Sequence, residues 1–275
     1  FFSAVHIDFF EEIAKLRAMR RIWARIMKEK FKAKNERSMW FRTACQTSAL
    51  PLTAQEPLNN IVRAGIQTLA AVLGGVQSIH TTGYDEAFSL PTEESHKLSI
   101  RTQQVIAYET GVVKSADPLG GSYLVERLTD ELEEQIWELL KVIEDRGGFV
   151  QCFMDRWVED QITKMRYQMG EDFISGQQPV VGVNLFRDER DSTKINIFRH
   201  SDEWQGKRIQ EIIDHKKNRR QEPVQRALET LESQVRKRPE ENCIGAIMRA
   251  VENRATLGEI MDAIRRAIDF KRPGL

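Results

Sequence analysis

A dense group of polar side chains directly follows the apolar segment TLAAVLGGV, which spans residues 68–76. The group consists of Gln77, Ser78, His80, Thr81, Thr82, Asp85 and Glu86. A histidine can act as a base, a hydrogen-bond donor or a buried structural group, and carboxylates can accept hydrogen bonds from sugar hydroxyls. In the alternative interpretation, Asp85 and Glu86 only cap the next helix, where the helix dipole favours negative charge. The residue types leave both interpretations open.

A second polar pair, Arg42 and Gln46, lies in the segment FRTACQTSAL. The two residues are four positions apart, so on a strand they face the same side. A guanidinium offers paired donors to phosphate or carboxylate, and a glutamine offers both a donor and an acceptor. In the structural alternative, which spacing alone favours, Arg42 caps a neighbouring helix and Gln46 begins a loop. In the other group, Gln77 and His80 fall on opposite faces unless the strand ends between them.

Strand-like and helix-like apolar patterns alternate along the first part of the chain, and the polar groups fall at the ends of the predicted strands. Strands are predicted at 1–7, 38–45 and 76–81, and helices at 9–31, 53–75 and 92–111. Asp8, Thr53 and Thr92 are typical N-cap residues, and Gly74 and Gly111 are typical helix stops. Strands that alternate with helices predict an α/β fold with a parallel sheet, whose ligands bind at the carboxyl ends of the strands.

The second part of the chain has a mainly helical pattern. A long amphipathic helix is predicted at 129–145, an isolated strand at 178–186, and an irregular connection with one short strand at 188–203. Further helices are predicted at 207–220, 223–237 and 254–270. We place a domain boundary near residue 187, which gives domains of residues 1–186 and 187–275.

Composition excludes several classes of function. Lys plus Arg and Asp plus Glu number 41 each, so no net charge favours nucleic acid or an anionic membrane surface. No apolar run approaches the roughly 20 residues that span a bilayer. The three cysteines are far apart, which argues against a disulfide framework or a zinc site, predicts no metal, and fits a reduced, cytoplasmic setting. The motifs GxGxxG, GxxxxGK[ST] and GxSxG do not occur. The basic run HKKNRR at 215–220 is predicted to be a solvated helix face.

Several longer segments together resemble one family. They are FRTACQTSALPLTAQEPLNNIVR, AAVLGGVQSIHTTGYDEAFSLPTEES, RTQQVIAYETGV, DPLGGSYLVERLTDELE and PVVGVNLF. In this order they resemble the large, substrate-binding subunit of the methylmalonyl-CoA mutase family, which includes isobutyryl-CoA and 2-hydroxyisobutyryl-CoA mutases. The resemblance is nearly continuous from Phe1 to about Phe186 and weaker to Leu275, where ATLGEIMDAIRRA resembles the end of the large subunit of two-subunit members.

The resemblance implies a (β/α)8 barrel that encloses an acyl-CoA, with adenosylcobalamin at its carboxyl face, held mainly by a separate domain or subunit. The family reaction is a radical 1,2-rearrangement of the carbon skeleton, in which the cofactor performs the difficult chemistry. This chain then corresponds to roughly the last three βα units of the barrel, followed by helices. We expect the sequence to begin inside a protein, because FFSAVHIDFF reads as a strand already under way. The expected partners are the N-terminal half of the barrel and a small cobalamin-binding subunit, because the cobalamin motif DxHxxG is absent from the sequence.

The resemblance also assigns roles to individual residues. Arg42, Gln46, Gln77 and Ser78 match positions that contact the acyl-CoA, and Gln46 is the catalytic candidate beside the reacting part of the substrate. Glu86, Thr82 and His80 match positions near the adenosyl group, with Glu86 on the ribose. Two departures affect these assignments: Thr82 stands where relatives usually carry Asn, and Ala44 stands where many carry His.

The resulting hypothesis is an isomerase part that converts methylmalonyl-CoA to succinyl-CoA and is inactive as an isolated chain. The alternatives are an isobutyryl-, ethylmalonyl- or 2-hydroxyisobutyryl-CoA mutase large subunit, or a non-catalytic truncated relative that docks to a cobalamin-binding subunit. The presence of Gln46, Gln77 and Glu86 favours an enzyme, because a docking module needs no polar barrel mouth.

Overall fold

The computed structural model describes residues 1–188, 190 and 193–269 and divides into two compact units. Unit 1 runs from Phe1 to Arg199, and unit 2 begins at His200. Unit 1 therefore includes the described part of the connection that follows the predicted boundary near residue 187. None of the described helices is long and apolar enough to cross a membrane.

Unit 1 contains a parallel sheet of three strands in the order β1 (Phe2–Val5), β2 (Ala44–Thr47) and β3 (Ser78–His80). The predicted α/β class is confirmed. The prediction of a strand at 38–45 is wrong at its start, because Glu36–Met39 forms a 3₁₀ turn and only Ala44 begins to pair with β1.

Three helices follow the strands: α1 (Phe9–Arg25), α2 (Asn59–Leu73) and α3 (Glu93–Tyr108). Asp8 caps α1 as predicted, since its carboxylate accepts a hydrogen bond from the Glu11 amide at 3.3 Å. Thr92 caps α3 as predicted, because its hydroxyl accepts from the Ser95 amide at 3.2 Å. After α1 the chain makes a π-helical turn at Ile26–Lys30, within the predicted helix.

The predicted cap of α2 at Thr53 is wrong, because the helix begins only at Asn59. The buried Asn60 side chain accepts from the Thr53 amide at 3.0 Å and donates to the Thr53 carbonyl at 2.8 Å. These two bonds fold residues 53–58 back as a loop against the first turn of the helix. The helix ends at Gly74 as predicted, and Gly75 follows with a φ of +78°.

The core of unit 1 lies between the sheet and its helices and includes Val5, Ile13, Leu16, Cys45 and Ala70. Because side chains alternate along a strand, Val5 and Cys45 point toward the helices and their sequence neighbours point to the opposite face. A fourth helix, α4 (Tyr123–Asp145), packs beside α1 and starts earlier than the predicted 129.

Two helices that were not predicted follow: α5 (Phe149–Met154) and α6 (Trp157–Ser175). The strand predicted at 178–186 is wrong. Gly182 has a φ of +79°, and the amides of Val183, Asn184 and Leu185 all bond to the Val180 carbonyl, so the segment curls into a turn.

Unit 2 contains α7 (Asp202–Lys217), α8 (Gln221–Lys237), α9 (Ile244–Glu252) and α10 (Leu257–Ala267). Helix α9 was not predicted. The last predicted helix extends to residue 270, which lies outside the described residues. The short strand predicted within 188–203 falls partly on residues 189, 191 and 192, which also lie outside them, and 193–201 contain no strand.

The basic run at 215–220 is only partly the predicted solvated face. Arg219 is buried, and its guanidinium donates to Glu259 and to the Arg254 carbonyl. The Nε2 atom of His215 lies 2.9 Å from the same carbonyl oxygen. The run therefore joins the turn between α7 and α8 to the turn between α9 and α10.

Candidate functional site

The face of the sheet opposite the helices carries several of the predicted site residues. In the strand register Ala4 pairs with Gln46, and Gln46 pairs with His80. In the neighbouring row Ala44 pairs with Ser78. Ser78 and His80 are exposed and Gln46 is half-buried, so this face brings the three side chains together.

Arg42 lies two positions before β2 and shares the parity of Ala44 and Gln46. It is exposed, and its guanidinium carbon lies 5.3 Å from the centroid of the Trp40 ring. The guanidinium donates no hydrogen bond to another described residue, so the alternative in which Arg42 caps a helix does not hold within that part of the chain. Its cation remains available to an anion.

Gln77 lies at the amino end of β3, away from Gln46 and His80 along the strands. Its side-chain Oε1 accepts from the Thr43 amide at 2.7 Å, and its Nε2 donates to the Gly75 carbonyl at 3.0 Å. The structure thus uses the Gln77 amide to join β3 to β2, and its contact with an acyl-CoA stays a prediction.

Thr82 is buried beyond the carboxyl end of β3 and is bound to Thr47 at the end of β2. The Thr82 amide donates to the Thr47 hydroxyl at 2.8 Å, and the Thr82 hydroxyl donates to the Thr47 carbonyl at 2.6 Å. The Thr47 hydroxyl in turn donates to the Thr82 hydroxyl at 2.9 Å. These bonds fix the two strand ends directly after Gln46 and His80, and they occupy the polar atoms of the Thr82 side chain.

Asp85 is fully buried, and for this residue the structure supports the alternative interpretation, in which it stabilises the start of the next helix. Its carboxylate accepts from the Thr92 amide at 2.8 Å and from the Ser95 hydroxyl at 2.5 Å, both at the start of α3. Its neighbour Tyr84 is also buried, and this burial, together with the nearby Glu94, raises the pKa of the phenol above its usual value.

Glu86 has a different environment from Asp85, although the two acidic residues are adjacent. Its side chain is half-buried at the carboxyl edge of the sheet, and its amide donates to the Gly83 carbonyl at 3.3 Å. Its carboxylate forms no hydrogen bond or ion pair with any residue that the structure describes. The acceptor oxygens of Glu86 are therefore free to bind a ligand.

A layer of buried polar side chains on α2, beneath these residues, was missed by the sequence interpretation. Gln67 donates to the carbonyls of Val5 at 3.0 Å and Ser48 at 3.1 Å, which joins the ends of β1 and β2. The Thr68 hydroxyl lies 2.9 Å from the Thr81 hydroxyl. One signal was available: Asn60, Gln67 and Thr68 recur on the helix face that would otherwise be apolar.

The site contains no evident metal centre. Among residues 1–188, 190 and 193–269, no group of three or more His, Cys, Asp and Glu side chains lies close enough together to hold a metal ion. The arrangement is instead suited to hydrogen bonding of a polar, anionic ligand along the sheet face.

Comparison with known proteins gave one family and several relatives. The family described as methylmalonyl-CoA mutase matches residues 1–270. The large subunit of 2-hydroxyisobutanoyl-CoA mutase from Aquincola tertiaricarbonis is 43% identical over 265 residues, which cover 96% of this chain and 47% of the relative. Methylmalonyl-CoA mutase from Rhizobium meliloti (strain 1021) is 40% identical, with coverage of 97% and 37%. The mitochondrial methylmalonyl-CoA mutase of Homo sapiens is 35% identical, with coverage of 97% and 35%. The chain spans less than half the length of each of these relatives.

Proposed function

Because this chain belongs to the methylmalonyl-CoA mutase family, we propose that it supplies part of the active site of an adenosylcobalamin-dependent acyl-CoA mutase. In this proposal the three βα units form part of a (β/α)8 barrel, and the sheet face with Gln46 lines its interior. The outer edges of β1 and β3 pair with no other described strand, as expected if further strands continue the sheet.

The observation that carries the proposal is the line of polar side chains along the exposed sheet face. Extended chain rises about 3.3 Å per residue, so Arg42, two positions before β2, and Gln46 on β2 are separated by at most roughly 13 Å. Ser78 and His80 lie beside this line on β3, and Glu86 lies beyond its carboxyl end. An elongated thioester with a phosphate-bearing end matches such a line better than a compact ligand does.

The chemistry of each group suggests its role. The exposed guanidinium of Arg42 would bind a phosphate or carboxylate, and the Gln46 amide would hydrogen-bond the acyl group near its reacting carbon. His80, beside Gln46 in the register, would orient the same part of the ligand. The buried polar layer on α2 fixes the strand ends beneath these groups.

The cofactor assignment rests on Glu86. Its free carboxylate suits the hydroxyls of a ribose, whereas the Thr82 side chain is already bonded to Thr47 and suits an indirect role. The chemistry that bound adenosylcobalamin supplies is reversible hydrogen-atom abstraction. A small cobalamin-binding subunit is the proposed partner, and one relative is itself the large subunit of its enzyme, which supports a second subunit.

For the substrate we propose methylmalonyl-CoA, which is converted to succinyl-CoA. The second candidate is 2-hydroxyisobutanoyl-CoA, because the large subunit of 2-hydroxyisobutanoyl-CoA mutase is 43% identical to this chain over the aligned residues. Both substrates would use the same CoA contacts on the sheet face.

The test uses the complete enzyme that contains this chain, together with its cobalamin subunit. Turnover of the two acyl-CoAs is measured for the parent enzyme and for Gln46→Ala, with Gln168→Ala on exposed α6 as the matched control. Loss of a hydrogen bond to the acyl group should lower kcat/KM about 10- to 100-fold, and the control should be unchanged.

In a parallel experiment, Glu86→Ala should raise the Kd for adenosylcobalamin while Glu171→Ala should not. Absence of adenosylcobalamin-dependent turnover of both substrates would contradict the proposal.

A further inference from the structure

We propose that Asp85 is a positioning residue that holds the loop after β3 so that the Glu86 carboxylate faces the adenosyl group. The inference rests on the proposed function, because it concerns the residue to which that function assigns the ribose contact. Asp85 is fully buried, and both of its carboxylate oxygens are bonded to the start of α3, so its effect on the cofactor acts through its neighbour.

Asp85 is bound on both sides of the loop. Its carboxylate oxygens accept from the Thr92 amide and the Ser95 hydroxyl, at 2.8 and 2.5 Å. Its backbone carbonyl accepts from the amides of Phe88 at 2.9 Å and Ser89 at 3.2 Å. Glu86 therefore lies in a turn whose first residue is tied to the start of α3.

The neighbouring loop residues are anchored to other elements. Thr82 is bonded to Thr47 on β2, and the Tyr84 carbonyl accepts from the Asn60 side chain on α2 at 3.0 Å. Hydrogen bonds to β2, α2 and α3 therefore hold residues 82, 84 and 85 of the loop in turn. Glu86 follows directly, and its carboxylate has no hydrogen-bond partner among the described residues.

The space around Asp85 also leaves little room for adjustment. A Cβ atom placed on Gly83 would collide with the Ser95 hydroxyl and with a carboxylate oxygen of Asp85. A buried carboxylate is costly unless it is hydrogen-bonded, and the positive end of a helix adds favourable energy. The loop consequently has one well-defined conformation around Asp85.

The experiment uses the complete enzyme with its cobalamin subunit and compares Asp85→Asn with Ser95→Ala. The matched control is Glu259→Gln, which changes a carboxylate at the start of α10 in unit 2. Three quantities are measured: the Kd for adenosylcobalamin by equilibrium titration, the KM for the acyl-CoA, and hydrogen–deuterium exchange of residues 81–92.

We expect Asp85→Asn to raise the cofactor Kd on the order of tenfold, since one charge-assisted hydrogen bond is lost and the loop moves. The acyl-CoA KM should stay within about twofold, and exchange at 86–92 should accelerate. Ser95→Ala should have a smaller effect in the same direction, about threefold. Glu259→Gln should leave the cofactor Kd unchanged.

A double variant separates positioning from general destabilisation. If Asp85 acts through Glu86, Asp85→Asn should not weaken cofactor binding further in a Glu86→Ala background, whereas independent effects would add. Should Asp85→Asn fail to fold, the same cycle with Ser95→Ala decides the question. Additive effects, or an unchanged Kd in both single variants while Glu86→Ala weakens binding, would overturn the positioning role and leave the proposed function intact. An unchanged Kd in Glu86→Ala would overturn both.

Discussion

Two carboxylates occupy the starts of helices in the two units, Asp85 at α3 and Glu259 at α10, and their partners differ. Asp85 is bonded to an amide and a hydroxyl, both neutral. Glu259 accepts from the Thr256 amide at 2.8 Å in a capping box and from the Arg219 guanidinium at 2.7 and 2.5 Å. The Arg219 hydrogen bonds are the main reason that the pKa of Glu259 is lowered to about 2.

The comparison shows that a buried polar network does not by itself indicate a ligand site. The network around Glu259 joins two turns of unit 2, and the bond from Arg219 to the Arg254 carbonyl completes that junction. The network around Asp85 instead ends beside Glu86, whose carboxylate has no partner among the described residues. The feature that indicates a ligand site is therefore a carboxylate without a protein partner beside an ordered hydrogen-bond network, and not the network itself.

Substitution of Arg219 is the test of this comparison with the largest expected effect. Replacing Arg219 with Ala leaves the partly buried Glu259 with only the more distant and more exposed Lys216, whose Nζ lies 3.7 Å from its carboxylate. Breaking a buried pair costs about 3–5 kcal/mol. We expect amide exchange in α8 and α10 to accelerate strongly, while exchange in β1–β3 stays unchanged. The measurement is hydrogen–deuterium exchange of the full chain.

Arg226→Ala is the matched control, because Arg226 is exposed and, among the described residues, its side chain pairs only with Glu222 in the same helix. Its effect should be below about 0.5 kcal/mol. Equal effects of the two substitutions would show that burial does not strengthen the Arg219 pair.

The dependence of unit 2 on pH is the second test. Because the folded pKa of Glu259 lies below its ordinary value of 4.5, the ionised form is favoured by folding. Its contribution is complete above pH 4.5 and is lost as the pH falls toward about 2. We expect a loss of about 2 kcal/mol over this range, measured by urea unfolding with circular dichroism. Glu259→Gln should flatten the pH dependence, and an unchanged profile would contradict the assignment.

The neutral polar layer of unit 1 is the third test. Gln67→Met keeps the side-chain volume but removes the donors to the Val5 and Ser48 carbonyls. We expect a loss of about 1–2 kcal/mol in the free energy of unfolding, the same at pH 7 and pH 4 because no charge is involved. Gln168→Met on the exposed face of α6 is the control. A pH-dependent loss would mean that the layer includes a titrating group.

Local sequence rules predicted much of the fold. The caps at Asp8 and Thr92 and the glycine stop after α2 depend on nearby residues, and all three are confirmed. The cap at Thr53 failed because Asn60, seven positions later, takes both backbone groups of Thr53. The start of α2 was thus decided by a contact between two segments, which local helix propensity cannot predict.

The same limit applies to unit 2 and to the site. Helix α9 has nine residues and is held by packing of Ala246 and Ala250 in the unit 2 core, so its own sequence gives a weak signal. At the site, sequence reasoning identified Asp85 and Glu86 as acidic residues with two alternative roles. Only the tertiary contacts show that Asp85 faces α3 while Glu86 has no partner among the described residues.

The charged contacts between α1 and α4 provide the smallest and last test, because the outermost of them, at Arg25, uses the same ion-pair chemistry at an exposed position. Arg17, Arg21 and Arg25 pair with Glu126, Asp130 and Glu133 in ascending order, which shows that the two helices run in the same direction. Arg25→Ala removes a pair of 2.7 Å, but the arginine side chain is 56% exposed, so we expect a loss below about 1 kcal/mol that decreases further in 0.5 M NaCl. The loss in Arg219→Ala should persist at the same salt concentration, because water and ions do not reach a side chain that is 3% exposed. A salt-resistant loss in Arg25→Ala would instead assign the contact to packing of the guanidinium on the Trp137 ring, 5.8 Å from its centroid.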